Sequence, residues 1–373
     1  LVMLLMTVTM SAQVTTATMS GKVTAQDEPI IGATIVAIHE PSGTRYGTVT
    51  NVSGQFNLQG MRTGGPYKVE ISYVGYQTAI YKGINLLLGE NYVLNVSLKE
   101  SSELLDEVVV TASKESNMKS DRAGAIMNAN RDMISNTPTI SRSISDIMRL
   151  SPQGADVGNG FAVGGGNYRQ SFVTVDGAAF NNTFGLGGNL PANGSPISLD
   201  ALEQVTVAVT PFDVRQSGFT GGAINAVTRS GDNQFRGTAY MYFNNENLKG
   251  SKVDDYELLR SKAQYYTYGA SFGGPIIKDK LFFFVNGEYE DNVTAGSNYR
   301  PRTALGESYS GGNIHRPLQS DMDDMRGFLL NKYNFDPGKY NDYSTDTPAY
   351  RVMARVDWNA NQNNKVSFRF TKS

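Results

Sequence analysis

The stretch Arg351-Val352-Met353-Ala354-Arg355-Val356-Asp357-Trp358, the turn 359–364 and then Lys365-Val366-Ser367-Phe368-Arg369-Phe370 decides the architecture. Val352, Ala354, Val356 and Trp358 alternate with Arg351, Met353, Arg355 and Asp357, and Val366, Phe368 and Phe370 alternate with Lys365, Ser367 and Arg369. Period two with one apolar face is the pattern of a strand with two unlike sides. A soluble sandwich gives the same period, so the connections have to discriminate. Three further strands are expected upstream, at 235–244, 264–273 and 280–291. The connections 245–263 and 292–349 are long and polar, whereas 274–279 and 359–364 are short. Long links on one side and short turns on the other describe the wall of a transmembrane β-barrel. On this reading Val356 faces lipid and Arg355 faces the interior.

The composition fits. Of 373 residues, 40% are hydrophobic and only 18% charged, with 39 glycines, 20 tyrosines and 17 phenylalanines, which suits many short strands, turns and aromatic girdles. Net charge is -2, from 33 basic and 35 acidic residues, without the basic excess of a nucleic-acid binder. There is no cysteine, which removes disulfides, thiolate metal sites and cysteine nucleophiles. The two histidines, His39 and His315, fall in segments expected to belong to different domains, leaving little material for a catalytic triad or a histidine zinc site. No catalytic residue, metal or cofactor is expected. The apolar run 1–10 is too short for a spanning helix and reads as the core of a secretory signal, 1–12, clipped at its start.

Residues 13–100 read as short strands between turn signals, an all-β sandwich. Next comes Asp106-Glu107-Val108-Val109-Val110-Thr111-Ala112, a β-prone strip beside a small, polar stretch. Such a strip suits strand addition onto a partner's sheet edge, although three valines equally make a buried strand. From 113 to 230 the pattern mixes a helix, with Ile140, Ile144, Ile147 and Met148 at helical spacing and Pro152 stopping it, with strands at 171–177 and 202–207 and a closing segment at 218–229. The fold class expected is mostly β: a small sandwich, an α+β plug, and the first strands of an incomplete barrel over 231–373.

Particular residues carry a family resemblance. Gly32-Ala33-Thr34-Ile35-Val36, Ser53-Gly54-Gln55-Phe56-Asn57-Leu58 and Tyr73-Val74-Gly75-Tyr76 resemble the carboxypeptidase-regulatory-like domain, a module without known catalysis. Ser171-Phe172-Val173-Thr174-Val175-Asp176-Gly177 and Gly218-Phe219-Thr220-Gly221-Gly222-Ala223-Ile224-Asn225-Ala226-Val227-Thr228-Arg229 resemble the plug of TonB-dependent outer-membrane transporters. Asp106 to Ala112, lying between sandwich and plug, resembles their TonB box. Val209-Thr210-Pro211 and the residues after it place the resemblance nearer the Oar-like branch than the siderophore receptors. The resemblance implies an outer-membrane location with sandwich and plug on the periplasmic side. It also implies TonB and its inner-membrane energising complex as partner, outer-membrane lipid around the barrel, and active import of a large nutrient, peptide or protein. The plug-motif positions it singles out are Asp176, Gly177, Gly221, Gly222 and Asn225. A surface lipoprotein lid is not favoured, because the residues after the strip lack the tyrosine-and-glycine pattern of the glycan branch, but it stays open. The rivals are a surface binding or adhesion protein without transport and, behind it, a secreted enzyme with an accessory sandwich.

Overall fold

The computed structural model describes residues 15–100, 108–111, 126–139, 142–157, 160–182, 188, 190, 195–209, 220–248, 250, 252–254, 256–257, 262–296, 299–309, 314–341, 343–361 and 364–373. The expected signal segment 1–12, and Asp106, Glu107 and Ala112 of the strip, lie outside them. Two compact units divide the chain: 1–238 with 270–287 and 351–373, and 239–269 with 288–350.

The first unit begins with the sandwich. One sheet holds β1 (Ala17–Ala25), β2 (Glu28–Pro29) and β5 (Gln55–Met61), with β8 (Asn91–Val93) and β9 (Val96–Ser97) added parallel to β1. The other holds β3 (Thr34–His39), β4 (Thr44–Val49), β6 (Gly64–Ser72) and β7 (Ala79–Leu86). The sequence pattern suggests a single strand over residues 92–98, but two short ones form. Leu94 lies against Gly21, where any Cβ would collide with its carbonyl oxygen.

In β3 the two-residue period buries Ile35, Ala37 and then His39, which is 5% exposed. His39 Nδ1 lies 2.7 Å from Ser42 Oγ, and its ring meets Tyr67 edge-on at 5.0 Å. Burial, helped by the nearby Arg62 guanidinium, lowers the His39 pKa from 6.5 to about 3. The unfolded chain therefore takes up a proton below pH 6.5 that the folded domain refuses until about pH 3. The stability held in neutral His39 is complete above pH 6.5 and is lost as pH falls, by at most about 1.4 kcal/mol per unit. The segment 15–100, expressed alone, is expected to melt cooperatively at pH 7 and at a markedly lower temperature by pH 5. His39→Gln should flatten that dependence. An equal slope in parent and variant would remove His39 as the cause.

The plug follows, built on one five-stranded sheet: β11 (Ile126–Asn130), β14 (Phe172–Val175), β15 (Ala178–Ala179), β16 (Leu202–Ala208) and β17 (Ala223–Thr228), in the order β11-β16-β17-β14-β15. Beside it lie α1 (Arg131–Asn136), α2 (Ile144–Met148) and the pair β12 (Gly154–Asp156) and β13 (Phe161–Val163). Of the helix read from Ile140, Ile144, Ile147 and Met148, the five residues Ile144–Met148 are helical, and Ile144, Ile147 and Met148 are buried in the plug core; Ile140 lies outside the described residues. Val173, Val175, Val205, Val207 and Ile224 belong to the same core, and so do Phe284 and Met353 from further along the chain.

Five long strands form the wall: β18 (Arg236–Asn245), β21 (Ala263–Ile277), β22 (Leu281–Ala295), β25 (Ser344–Asn359) and β26 (Lys365–Lys372), ordered in sequence as one open sheet. Three are longer than the sequence pattern suggested: β22 and β25 run on into sequence that no longer alternates, and β21 continues past the turn-like Gly274-Pro275 to Ile277.

The second unit contains the hairpin β19 (Lys252–Val253) and β20 (Tyr256–Glu257), the parallel pair β23 (Arg300–Arg302) and β24 (Ile314–Leu318), and α3 (Gln319–Tyr333). The expected long connection thus carries a helix. No α3 side chain is buried, and a paired contact from Arg326 to Asp336, both bonds 3.0 Å, ties it to the segment after it. Among the described residues no helix is long and apolar enough to cross a membrane, which says nothing about strands.

Candidate functional site: a latched plug and a strand strip

Val175-Asp176-Gly177-Ala178 forms a two-residue hairpin turn, with positive φ at Asp176 (46°) and Gly177 (82°). This is the conformation that Asp-Gly favours, since a small Asx side chain tolerates the left-handed region and glycine occupies it freely. The turn presents the Asp176 carboxylate to several donors at once. Oδ1 accepts from the Thr228 backbone N–H at 2.8 Å and Oδ2 from Thr228 Oγ1 at 2.5 Å. Arg369 Nη1 of β26 donates to Asp176 Oδ2 at 2.9 Å and to the Val175 carbonyl at 2.6 Å. Arg355 Nη1 of β25 lies 3.7 Å from Asp176 Oδ1 and donates to the Thr228 carbonyl at 2.7 Å. The same guanidinium grips Asp357 from Nε at 2.9 Å and Nη2 at 3.0 Å, while Ser230 and Ser367 donate to that carboxylate. Two plug segments and two wall strands therefore meet in one cluster of opposite charges.

A second contact repeats the design. Arg229, at the end of β17, donates to the Asp200 carbonyl at 3.0 Å and lies over the Phe284 ring at 4.7 Å. Thr238 of β18 donates to Asp200 Oδ2 at 2.7 Å. A third joins Arg351 Nε to the Ser195 carbonyl.

The remaining plug-motif positions serve the sheet. Asn225 is buried, and its Oδ1 accepts from Thr174 Oγ1 on the neighbouring strand at 2.7 Å. Gly221 and Gly222 bring the chain against Gln170 and Val163, leaving no room for a Cβ at Gly222. Asp176, Gly177 and Asn225 thus belong to one sheet, with Gly221 and Gly222 leading into β17. The strip lies elsewhere. Val108–Thr111 forms β10, which pairs in parallel with β7, Val108 opposite Ala79 and Thr111 opposite Lys82. It is the edge strand of a sandwich sheet ordered β10-β7-β6-β3-β4.

The faces of the wall follow the alternation read from sequence. Val352, Trp358, Val366, Phe368 and Phe370 are exposed, whereas Arg351 and Met353 are buried against the plug side. Phe235, Phe272 and Phe283 form an aromatic cluster, with Phe235 and Phe272 stacked at 5.8 Å. Soluble monomers rarely expose apolar side chains in such a row, and the pattern matches a lipid-facing belt with an aromatic rim.

Comparison with known proteins agrees. Residues 18–99 match the carboxypeptidase regulatory-like domain, and residues 227–373 match an outer membrane beta barrel domain. The chain is an outer-membrane protein related to the TonB-dependent transporters. It is 27% identical to the TonB-dependent transporter Oar of Myxococcus xanthus over 235 residues, covering 61% of this chain and 20% of Oar. It is 29% identical to the TonB-dependent receptor SusC of Bacteroides thetaiotaomicron over 269 residues, covering 68% of this chain and 24% of SusC. The chain thus spans less than a quarter of either relative. Among solved structures, the siderophore receptor PirA from Acinetobacter baumannii aligns with a TM-score of 0.43 at 16% identity, over 66% of this chain and 31% of PirA.

Proposed function

We propose that the protein takes part in TonB-dependent active import of a large nutrient, peptide or protein across the outer membrane, with the plug gating the barrel. The observation that supports this best is the joint around Asp176. A plug that stays seated and yet shifts under load needs contacts that can exchange for water. Hydrated groups re-form such contacts readily, whereas an apolar core costs its whole buried area to open. The plug-to-wall contacts through Asp176, Asp200 and Ser195 are polar or ionic, and the wall side chains in the apolar plug core are Phe284 and Met353. TonB would engage Asp106, Glu107, Val108, Val109, Val110, Thr111 and Ala112 by strand addition and pull on the plug through the segment 113–125.

Val109→Pro in the complete protein is the direct test. Proline removes a backbone donor and fixes φ, so strand addition fails. Accumulation of labelled ligand in cells should drop to the level seen without TonB, while binding at the cell surface is unchanged. Normal accumulation by the variant would reject the strip as the TonB contact, whereas an adhesion protein without transport becomes the better reading if the parent itself binds ligand at the surface and accumulates none.

A further inference from the structure

The strip is already engaged. Its backbone at Val108–Thr111 completes the edge of a sandwich sheet, in register with Ala79, Ile80, Tyr81 and Lys82. Without it, β7 would present a bare row of N–H and C=O groups, which folded proteins ordinarily cover. The ladder is four residues long and parallel, the weaker of the two pairing modes, so it is closed at rest and inexpensive to open. The chain runs from the strip through 112–125 to β11, the first plug strand. Tension applied to a strip still paired with β7 would load the sandwich sheet before it reached the plug.

We propose that the edge of β7 is a resting dock for the strip, and that a partner's strand must take the strip from it. The sandwich and TonB then compete for the same backbone groups, and the sandwich withholds the strip until it is released. This rests on the reading of the strip as the partner-binding segment.

The absence of native cysteine makes the test clean within this sequence. Lys82 is exposed and is the register partner of Thr111. Neighbouring strands lie about 4.8 Å apart, inside the roughly 4.4–6.8 Å between Cα atoms that a disulfide accepts. In the complete protein, Lys82→Cys combined with Thr111→Cys should crosslink on oxidation. The probe is the purified periplasmic domain of TonB from the same organism. Its affinity for the oxidised double variant should fall at least tenfold below that for the same variant reduced, and recover on reduction. Equal binding by the oxidised and reduced forms, or failure of the pair to crosslink, overturns the dock. Val109→Pro, measured alongside, separates the two ideas. If it binds TonB like the parent, the strip is not the partner's target. If it loses binding while the crosslinked protein keeps it, the strip is the target and the dock is wrong.

Discussion

Asp176→Ala is expected to loosen the plug by about 3–5 kcal/mol, the usual cost of removing one member of a buried ionic cluster. The carboxylate is the shared acceptor for Arg369, Arg355 and both donors of Thr228. The side chains of Asp176, Arg355 and Arg369 are 17%, 14% and 16% exposed, so water reaches the joint only in part, and the cost should fall toward the lower end of that range. Without Asp176, Arg369 keeps the Val175 carbonyl and Arg355 keeps Asp357, but the guanidinium charges outnumber the carboxylates two to one. The measurement is the urea midpoint for loss of protease protection of the plug in the assembled protein. It should fall clearly while the heat-modifiability of the barrel stays at the parental value. Asp176→Asn keeps the turn and a hydrogen-bond acceptor and should lie between the two. A plug midpoint in Asp176→Ala equal to the parent's would make the cluster incidental.

The second large effect lies on the opposite side of β25. Val356 shares its face with the exposed Val352 and Trp358, so an arginine there has to meet lipid. The cost of a lipid-facing arginine runs from about 2–4 kcal/mol at the midplane to about 0–1 kcal/mol near the interface. Trp358, two residues away, marks the interfacial rim, so roughly 1–3 kcal/mol is expected for Val356→Arg, seen as reduced assembly on heat-modifiability gels. Sequence alone makes Arg355→Val the milder change, since it only places an apolar residue in the interior. The contacts of Arg355 keep that ranking for barrel assembly and reverse it for plug seating. Its loss leaves Asp357 with hydroxyl donors in place of a paired guanidinium and weakens the seat of Asp176. Arg355→Val should therefore impair plug seating more than Val356→Arg does, while Val356→Arg impairs barrel assembly more. Parental behaviour of both variants in both assays would contradict the facing assigned to β25.

What the sequence made legible was whatever depends on period and turn chemistry. The alternation in β25 and β26 identified the outward residues, and Asp176-Gly177 marked a hairpin turn. Four kinds of information were out of reach. Strand ends failed because β22 and β25 run on into sequence without an apolar alternation, 292–295 and 344–349, and β21 runs on through the turn-like Gly274-Pro275 to Ile277. The break between β8 and β9 failed because it depends on Leu94 lying against Gly21, a contact between strands far apart in the chain. The partners of Asp176 failed because a charge in a turn does not say what it faces. A signal did exist: Arg351, Arg355 and Arg369 all fall on the inward face, and inward cations in a wall require nearby acceptors. The parallel pairing of the strip with β7 left no trace in local pattern, since the valines that suit addition to a partner suit addition to the sandwich equally.

The contact between the sandwich and the rest of its compact unit has a character of its own. It runs through single polar links: Asn359 Nδ2 to Thr44 Oγ1 at 2.9 Å, the Asn233 N–H to the Pro41 carbonyl at 2.9 Å, and the Leu88 N–H to Gln204 Oε1 at 2.9 Å, with Lys365 over the Tyr46 ring at 3.8 Å. Leu88 and Val227 supply a small apolar cluster apart from both cores, and a cavity of about 560 Å³ remains between His39, Arg62, Arg131 and Arg229. A module attached in this way has not been moulded to its neighbour. Over evolutionary time it can be gained, lost or exchanged by recombination in the stretch that joins it to the plug without rebuilding plug or wall, and lineages that carry the same barrel should differ in whether this module accompanies it.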